Sequence, residues 1–236
     1  MIADKIIQLK RELPSSVKLV AVSKFHPVEA IIGAYEAGQR IFAESRPQEL
    51  ERKVKALAFY EGIKWHFIGH LQTNKLKMVL PYVSLVESVD SIHLLEAIDS
   101  WGNLNGKVTD ILLECHISDE ESKQGFSYKE VETLLQSQRA FHNVRIRGLM
   151  GMADFTDDEK IIRRDFQRLL DINDLLYAYT GISVNLPIPE QNSEVKSGLD
   201  RLYEISMGMS EDYPIAVEMG ATMVRIGSFI FGERQY

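Results

Sequence analysis

Residues 17–43, VKLVAVSKFHPVEAIIGAYEAGQRIFA, hold an apolar run at Val17 to Val22, a stretch of helical spacing at Pro27 to Glu36 and a second apolar run at Arg40 to Ala43. Strand, amphipathic helix and strand in that order make the βα unit of a parallel sheet. The rhythm continues to the end of the chain. Further strands are expected at Lys64 to Ile68, Val83 to Val86, Thr109 to His116, Val144 to Leu149, Leu202 to Ser206 and Thr222 to Ile226. Helical spacing marks Gln48 to Phe59, Ser91 to Trp101, Tyr128 to Arg139, Asp157 to Tyr179 and Glu211 to Met219. Pro27 lies near a first helical turn, and Ser127 and Ser210 are available as N-caps.

Eight strands alternating with helices predict an α/β fold, a single (β/α)8 TIM barrel domain over residues 1–236, since that fold typically needs about 250 residues. An open doubly wound sheet is the alternative. The segments from Tyr128 and from Asp157 could form a helical subdomain, but the strand at Val144 to Leu149 between them argues against it. An extra N-terminal helix, Ile2 to Glu12, carries Ile2, Ile6 and Leu9 on one stripe and is expected to cover the barrel's lower rim or side. Gly181 to Asp200, GISVNLPIPEQNSEVKSGLD, has no sustained period and reads as an exposed or mobile insertion on the N-terminal face.

The composition narrows the function classes. The 236 residues are 45% hydrophobic and 26% charged, which excludes disorder and a small disulfide scaffold. With 27 Lys+Arg against 34 Asp+Glu the net charge is -7, and no basic block stands out. Neither nucleic acid nor a membrane surface is an expected partner. The single cysteine, Cys115, reads as a small buried hydrophobe. MIADKIIQLKRELPSS lacks the apolar core of a signal peptide, and no apolar run approaches the ~18 residues of a membrane span. A cytoplasmic protein is expected.

Barrel enzymes carry their functional groups at the C-terminal ends of strands. The first strand ends in Ser23-Lys24. By itself Lys24 reads as a surface lysine capping a strand; the eighth strand changes that reading, because closing a barrel brings Arg225 beside it. At the mouth, burial would lower the lysine's pKa and free its amine as a nucleophile. Gly227 and Ser228 can open a short helix after Arg225. The loop Ser206-Met207-Gly208-Met209-Ser210 supplies further hydroxyls and amides. Together these make a phosphate site after strands seven and eight. Glu211 and Asp212 are expected to face solvent in the first turn of the following helix.

A lysine nucleophile, an arginine and a phosphate cup suggest pyridoxal 5′-phosphate. Being always protonated, an arginine beside the pyridine nitrogen would keep that nitrogen unprotonated and weaken the ring as an electron sink. Other residues carry less. His66 and His70 are four apart but straddle a strand end and a glycine, a poor arrangement for a metal pair, so no metal site is expected. His66 reads as a strand-end group near the ligand and His70 as a loop residue. Gln72, Asn74 and Lys75 either line the mouth or cap the next helix. His116, Asp119 and Glu120 form a polar rim or a solvated loop.

The motifs AVSK, F-x-E-x-x-x-QE, WHFIGHLQTNK, GLMGMA and SMGMSEDYPIAVEMGATMVRIGSFIFGER resemble the pyridoxal phosphate homeostasis family (YggS/PROSC), whose barrel is similar to the N-terminal barrel of alanine racemase. The likeness runs from Leu19 to Arg234. It implies that Lys24 holds the cofactor as an aldimine, that Arg225 meets the pyridine nitrogen, and that Ser210, Gly227 and Ser228 bind the phosphate. Met150 lies near the ring face, and Ser206 assists the phosphate. AESRPQEL at Ala43 to Leu50 departs from the family's GENYVQE, with Ser45 in place of an asparagine and Arg46 in place of an aromatic. Ser228 for threonine keeps the hydroxyl.

Alanine racemase completes its site with a second domain, for which a chain closing at Tyr236 leaves no room. The expectation is therefore a monomeric carrier of pyridoxal phosphate in vitamin B6 and amino-acid homeostasis, without strong catalytic activity and with pyridoxal-dependent apo-enzymes as recipients. The alternatives are a racemase-like enzyme on amino acids using His66 or Lys75, a phosphate-binding barrel without pyridoxal, and an interaction role for the 181–200 loop.

Overall fold

In the computed structural model, which describes residues 1–120, 124–137, 140–180 and 204–232, eight parallel strands close into a barrel in chain order. The strands are β1 (Lys18–Val22), β2 (Ile41–Glu44), β3 (Lys64–Phe67), β4 (Leu85–Val89), β5 (Thr109–Cys115), β6 (Val144–Gly151), β7 (Glu204–Ser206) and β8 (Met223–Ile226). Helices α1 (Ile2–Glu12), α2 (Val28–Glu36), α3 (Pro47–Ala56), α4 (Leu76–Val79), α5 (Ile92–Asn105), α6 (Tyr128–Gln136), α7 (Glu159–Thr180), α8 (Tyr213–Glu218) and α9 (Ser228–Phe231) surround it. The (β/α)8 architecture excludes the open sheet. Closure is made by β1 against β8, with Lys18 opposite Met223 and Val20 opposite Arg225.

Period-two alternation divides most strands between two apolar clusters, while β3 and β7 contribute only to the outer one. Leu19, Ala21, Phe42, Trp65, Phe67, Val86, Leu113, Leu149, Val224 and Ile226 face outward into the helix layer. Val20, Val22, Ala43, Leu85, Leu112, Met150 and Met223 fill the barrel interior. Continuing the inward rows by two residues reaches Lys24, Glu87, Glu114 and Arg225. The lower barrel is thus an apolar plug and the upper barrel a polar layer.

Two helices start at side-chain caps. Ser127 caps α6 in a reciprocal box with Glu130, and Ser91 caps α5 by accepting from the Leu94 amide. The N-terminal helix α1 buries Ile6 and Leu9 and packs beside α2 and α9, so it covers the barrel's side. Its Lys10 Nζ donates to the Gly38 carbonyl at 2.6 Å.

Several boundaries differ from the sequence reading. The fourth strand runs from Leu85 to Val89, later than Val83 to Val86, because Glu87 and Ser88 are buried within it. The sixth strand continues to Gly151 through a bulge, where Ile111 pairs Ile146 and Leu112 pairs Gly148. Gly148, at φ +149°, adopts a conformation open to glycine, and a Cβ there would stand 1.9 Å from the Glu204 carbonyl oxygen. Ser210 does not cap the next helix: α8 starts at Tyr213 with Asp212 as its N-cap. Asp212 is also buried, contrary to the solvent-facing position expected of it, because its Oδ1 accepts from the Met209 amide at 2.5 Å. Glu211 is exposed, but it precedes α8 instead of lying in its first turn, and it borders the mouth cavity. The insertion at 181–200 lies outside the described residues.

Candidate functional site

At the C-terminal mouth, a cavity of about 300 Å³ is lined by Val22, Lys24 and His26 from the β1 end, Ile68 after β3, and Met150, Met152 and Phe155 from β6 and its loop. The opposite wall is Met209, Ser210 and Glu211 after β7, and Arg225, Gly227, Ser228 and Gly232 from β8 and the turn of α9. Six expected site residues, Lys24, Met150, Ser210, Arg225, Gly227 and Ser228, therefore share one cavity. Lys24 reaches it because Val20 and Val22 point inward and the alternation carries one step beyond the strand.

The hydroxyl cup is built from two connections. Ser228 Oγ donates to Ser210 Oγ at 2.9 Å, and the Phe229 amide donates to Ser210 Oγ at 3.4 Å. A Cβ on Gly227 would sit 3.1 Å from the Val22 carbonyl oxygen, so glycine lets the turn after β8 lie tightly against β1. Serine hydroxyls and backbone amides at such a turn match the oxygens of a phosphate.

Ser206 and His66 stand behind Arg225, outside the cavity lining. Arg225 Nη1 donates to Ser206 Oγ at 2.7 Å and Nη2 to the Gly151 carbonyl at 3.0 Å. Ser206 Oγ donates in turn to Glu87 Oε2 at 2.6 Å, and Glu87 Oε1 lies 2.6 Å from His66 Nδ1. Glu87 was not among the expected residues, yet it is the fully buried centre of this chain of contacts. Burial alone would raise its pKa. The hydrogen bond and charge of His66, with Arg225 and Ser206, pull it below the ordinary carboxylate value instead. Burial draws Arg225 below the usual guanidinium pKa, opposed by Glu87, Asp212 and Glu114, and a guanidinium remains protonated at any physiological pH.

Glu114 is a second missed residue. Burial, followed by the charge of Asp90, pushes its carboxyl up to about 7, against the attraction of Arg225 and His70. His70 Nδ1 turns outward to Asp90 Oδ2 at 3.0 Å, so the two histidines address different carboxylates. Gln72, Asn74 and Lys75 lie on or beside a 3-10 turn away from the cavity lining. Cys115 is buried, with its thiol pKa pushed up chiefly by that burial.

Ser45 does not line the cavity. Its backbone is instead pressed against Gly69, where a Cβ would stand 2.1 Å from the Ser45 carbonyl oxygen. Arg46, in its neighbouring position, lays its guanidinium over the Phe25 ring at 4.4 Å. Phe25, next to Lys24, has φ +68° and is the one non-glycine residue with positive φ among the described residues. Its amide donates to Glu49 Oε1 at 2.8 Å.

Residues 1–186 match the family model for the alanine racemase N-terminal domain. The chain is 34% identical over 219 residues to the pyridoxal phosphate homeostasis protein of Aquifex aeolicus, covering 93% of this chain and 88% of that one. Among solved structures, PipY of Synechococcus elongatus without PLP is similar with a TM-score of 0.86 and 33% identity, covering 98% of this chain and 100% of PipY. The PipY structure with PLP bound gives 0.82 and 32%, with the same coverage. An alanine racemase of Clostridium difficile shares the fold at a TM-score of 0.73 and 12% identity, over 57% of its own length and 100% of this chain.

Proposed function

The chain belongs to the family of pyridoxal phosphate homeostasis proteins, and we propose that it binds pyridoxal 5′-phosphate at the barrel mouth and acts as a carrier of that cofactor rather than as a strong catalyst. The observation carrying this reading is the convergence of Lys24, Arg225 and the Ser210–Ser228 hydroxyl pair on one cavity. These residues fit the cofactor's chemistry: an amine for its aldehyde, a permanent cation for its ring nitrogen, and hydroxyl donors for its phosphate. When bound, the cofactor supplies an aldehyde that a lysine amine can hold as a Schiff base, and a ring able to accept electron density.

In this reading Lys24 is the covalent anchor and Met150 packs on the ring. Ser210, Gly227 and Ser228 hold the phosphate, while Ser206 and His66 act through Arg225 and Glu87. Arg225 donates to Ser206 and Gly151 and has no proton to give at neutral pH, so the ring nitrogen it faces stays unprotonated and carbanion chemistry is disfavoured. Ser45 is left without a direct ligand role. The carrier works as a monomer in the cytoplasm, with pyridoxal-dependent apo-enzymes as recipients. Among the described residues no helix is long and apolar enough to cross a membrane.

The test is an absorbance spectrum of purified protein with added pyridoxal phosphate, wild type beside Lys24→Ala, before and after borohydride reduction. A Schiff-base band in wild type alone, fixed by reduction on the peptide containing Lys24, is the expected result. No band in either protein would overturn the reading and favour a barrel that binds phosphate alone. The alternative is a racemase-like enzyme using His66 or Lys75, neither of which lines the cavity. Deuterium exchange at the α-carbon of amino acids would identify it.

A further inference from the structure

Behind Lys24, on the outward side of the barrel wall, lies a buried ionic cluster for which the cofactor site has no direct use. Lys53 of α3 is wholly buried. Its Nζ donates to the Ser23 carbonyl at 2.7 Å, to Glu44 Oε1 at 2.7 Å and to Glu49 Oε1 at 2.8 Å. Ser23 Oγ donates to the same Glu44 oxygen at 2.6 Å, and Glu49 Oε1 also receives the Phe25 amide. Glu44 Oε2 is buried without a hydrogen-bond partner.

Two of these contacts fall on the peptide groups that flank Lys24. The ammonium of Lys53 grips the carbonyl of Ser23, and the carboxylate that it holds grips the amide of Phe25. The backbone at Phe25 is left-handed, a conformation costly for a bulky residue unless its surroundings impose it. Burying an ammonium with two carboxylates carries a large desolvation cost, and well-packed apolar residues often serve stability as well or better. A stability role by itself accounts poorly for a cluster so expensive, placed so close to one backbone turn.

We propose that Lys53 is a positioning residue for Lys24: together with Glu49 it clamps the Ser23 to Phe25 backbone so that the Lys24 amine meets a carbonyl carbon in the cavity. The inference rests on the reading that Lys24 is the covalent anchor. The bond concerned forms between Lys24 Nζ and the aldehyde carbon, and the two amine hydrogens leave with the aldehyde oxygen as water. Lys53 touches none of these atoms. It fixes the attacking geometry, where an error near 1 Å can cost on the order of a hundredfold in rate.

The variants are Glu49→Gln, which keeps an acceptor for Phe25 but weakens the hold on Lys53, and Lys53→Met, which removes the grip on Ser23. Lys53→Arg is the conservative rescue. Each is compared with wild type for growth of the Schiff-base band on mixing with pyridoxal phosphate. Affinity for 4′-deoxypyridoxine 5′-phosphate, which has no aldehyde, and the thermal midpoint are measured alongside. A slowing of roughly tenfold to a hundredfold in Lys53→Met, a smaller slowing in Glu49→Gln and partial recovery in Lys53→Arg are expected, with analogue affinity within about twofold of wild type. If Lys53→Met does not fold, Glu49→Gln carries the test, since its side chain is partly exposed and retains its shape. Wild-type rates in folded variants, or equal losses of rate and analogue affinity, overturn the clamp. Absence of a Lys24-linked band in wild type overturns the anchor reading instead.

Discussion

Arg225 and Glu87 are joined through one hydroxyl: Ser206 Oγ accepts from Arg225 at 2.7 Å and donates to Glu87 at 2.6 Å. Two opposite charges from β8 and β4, both buried, thus share a single neutral intermediary across the barrel. Glu87→Ala should destabilise the fold by about 3–5 kcal/mol, because Ser206 and His66 would lose their buried hydrogen-bond partner and Arg225 one of the carboxylates around it. Urea unfolding should show a lower midpoint with an unchanged slope. Since the folded-state pKa of Glu87 is depressed, its contribution is present above the ordinary carboxylate value and is lost as pH falls through the depressed one. Wild type should accordingly lose stability on acidification more steeply than Glu87→Gln.

Glu114 has the opposite pH signature. Its carboxyl titrates at about 7 in the fold against an ordinary 4.5, so its stabilising contribution is full below 4.5 and is lost as pH rises through 7. Glu114→Gln should match wild type near pH 4 and exceed it at pH 9 by up to about 3 kcal/mol. Unfolding free energies measured at both pH values check this, and a variant no more stable than wild type at pH 9 would count against a neutral, buried Glu114.

Removing the hydroxyl of Ser210 or Ser228 should weaken binding of pyridoxal 5′-phosphate by about tenfold to a hundredfold, the range for a hydrogen bond to a charged group. Binding of unphosphorylated pyridoxal should change little. Because the two hydroxyls bond each other at 2.9 Å, the double variant should lose less than the sum of the single losses. Titration of the Schiff-base band with both ligands gives all the affinities needed.

Gly69→Ala would drive a methyl group to 2.1 Å from the Ser45 carbonyl oxygen, a backbone atom that cannot swing aside. A cost of about 1–3 kcal/mol or more is expected from overpacking. In a chain of this size each kcal/mol lowers the thermal midpoint by about 2–4 °C. A melting curve indistinguishable from wild type would mean that the turn after β3 yields freely.

The alternation of strands and helices was readable because every barrel strand sets buried apolar residues against the helix layer and most add apolar residues inside the barrel. The fourth strand was mislocated for the same reason: Val83 to Val86 is the apolar part, while Glu87 and Ser88 read as its polar end. Nothing local reveals that Glu87 is buried. Its partners His66 and Ser206 come from β3 and β7, and only barrel closure unites them. Lys24 and Arg225 could be paired in advance because closure always sets the eighth strand beside the first. Asp212 was misread since acidic residues before a helix ordinarily meet water, whereas here a backbone amide of the preceding loop claims the carboxylate. Lys53 resembles any other helical lysine until its neighbours on β1 and β2 are in place.

The parallel seam between β1 and β8 also has a temporal meaning. As the chain leaves the ribosome, Lys24 emerges well before Arg225, and until β8 docks, β1 lacks its partner on that side. Contacts between such distant parts of a chain form late because so much intervening chain must be ordered first. A ligand that needs both residues cannot assist the early steps of folding. It can only recognise a barrel already shut, and by binding there it shifts the balance toward the closed state by mass action. Occupancy of the mouth would then distinguish closed barrels from nascent chains, which still lack the Arg225 half of the site.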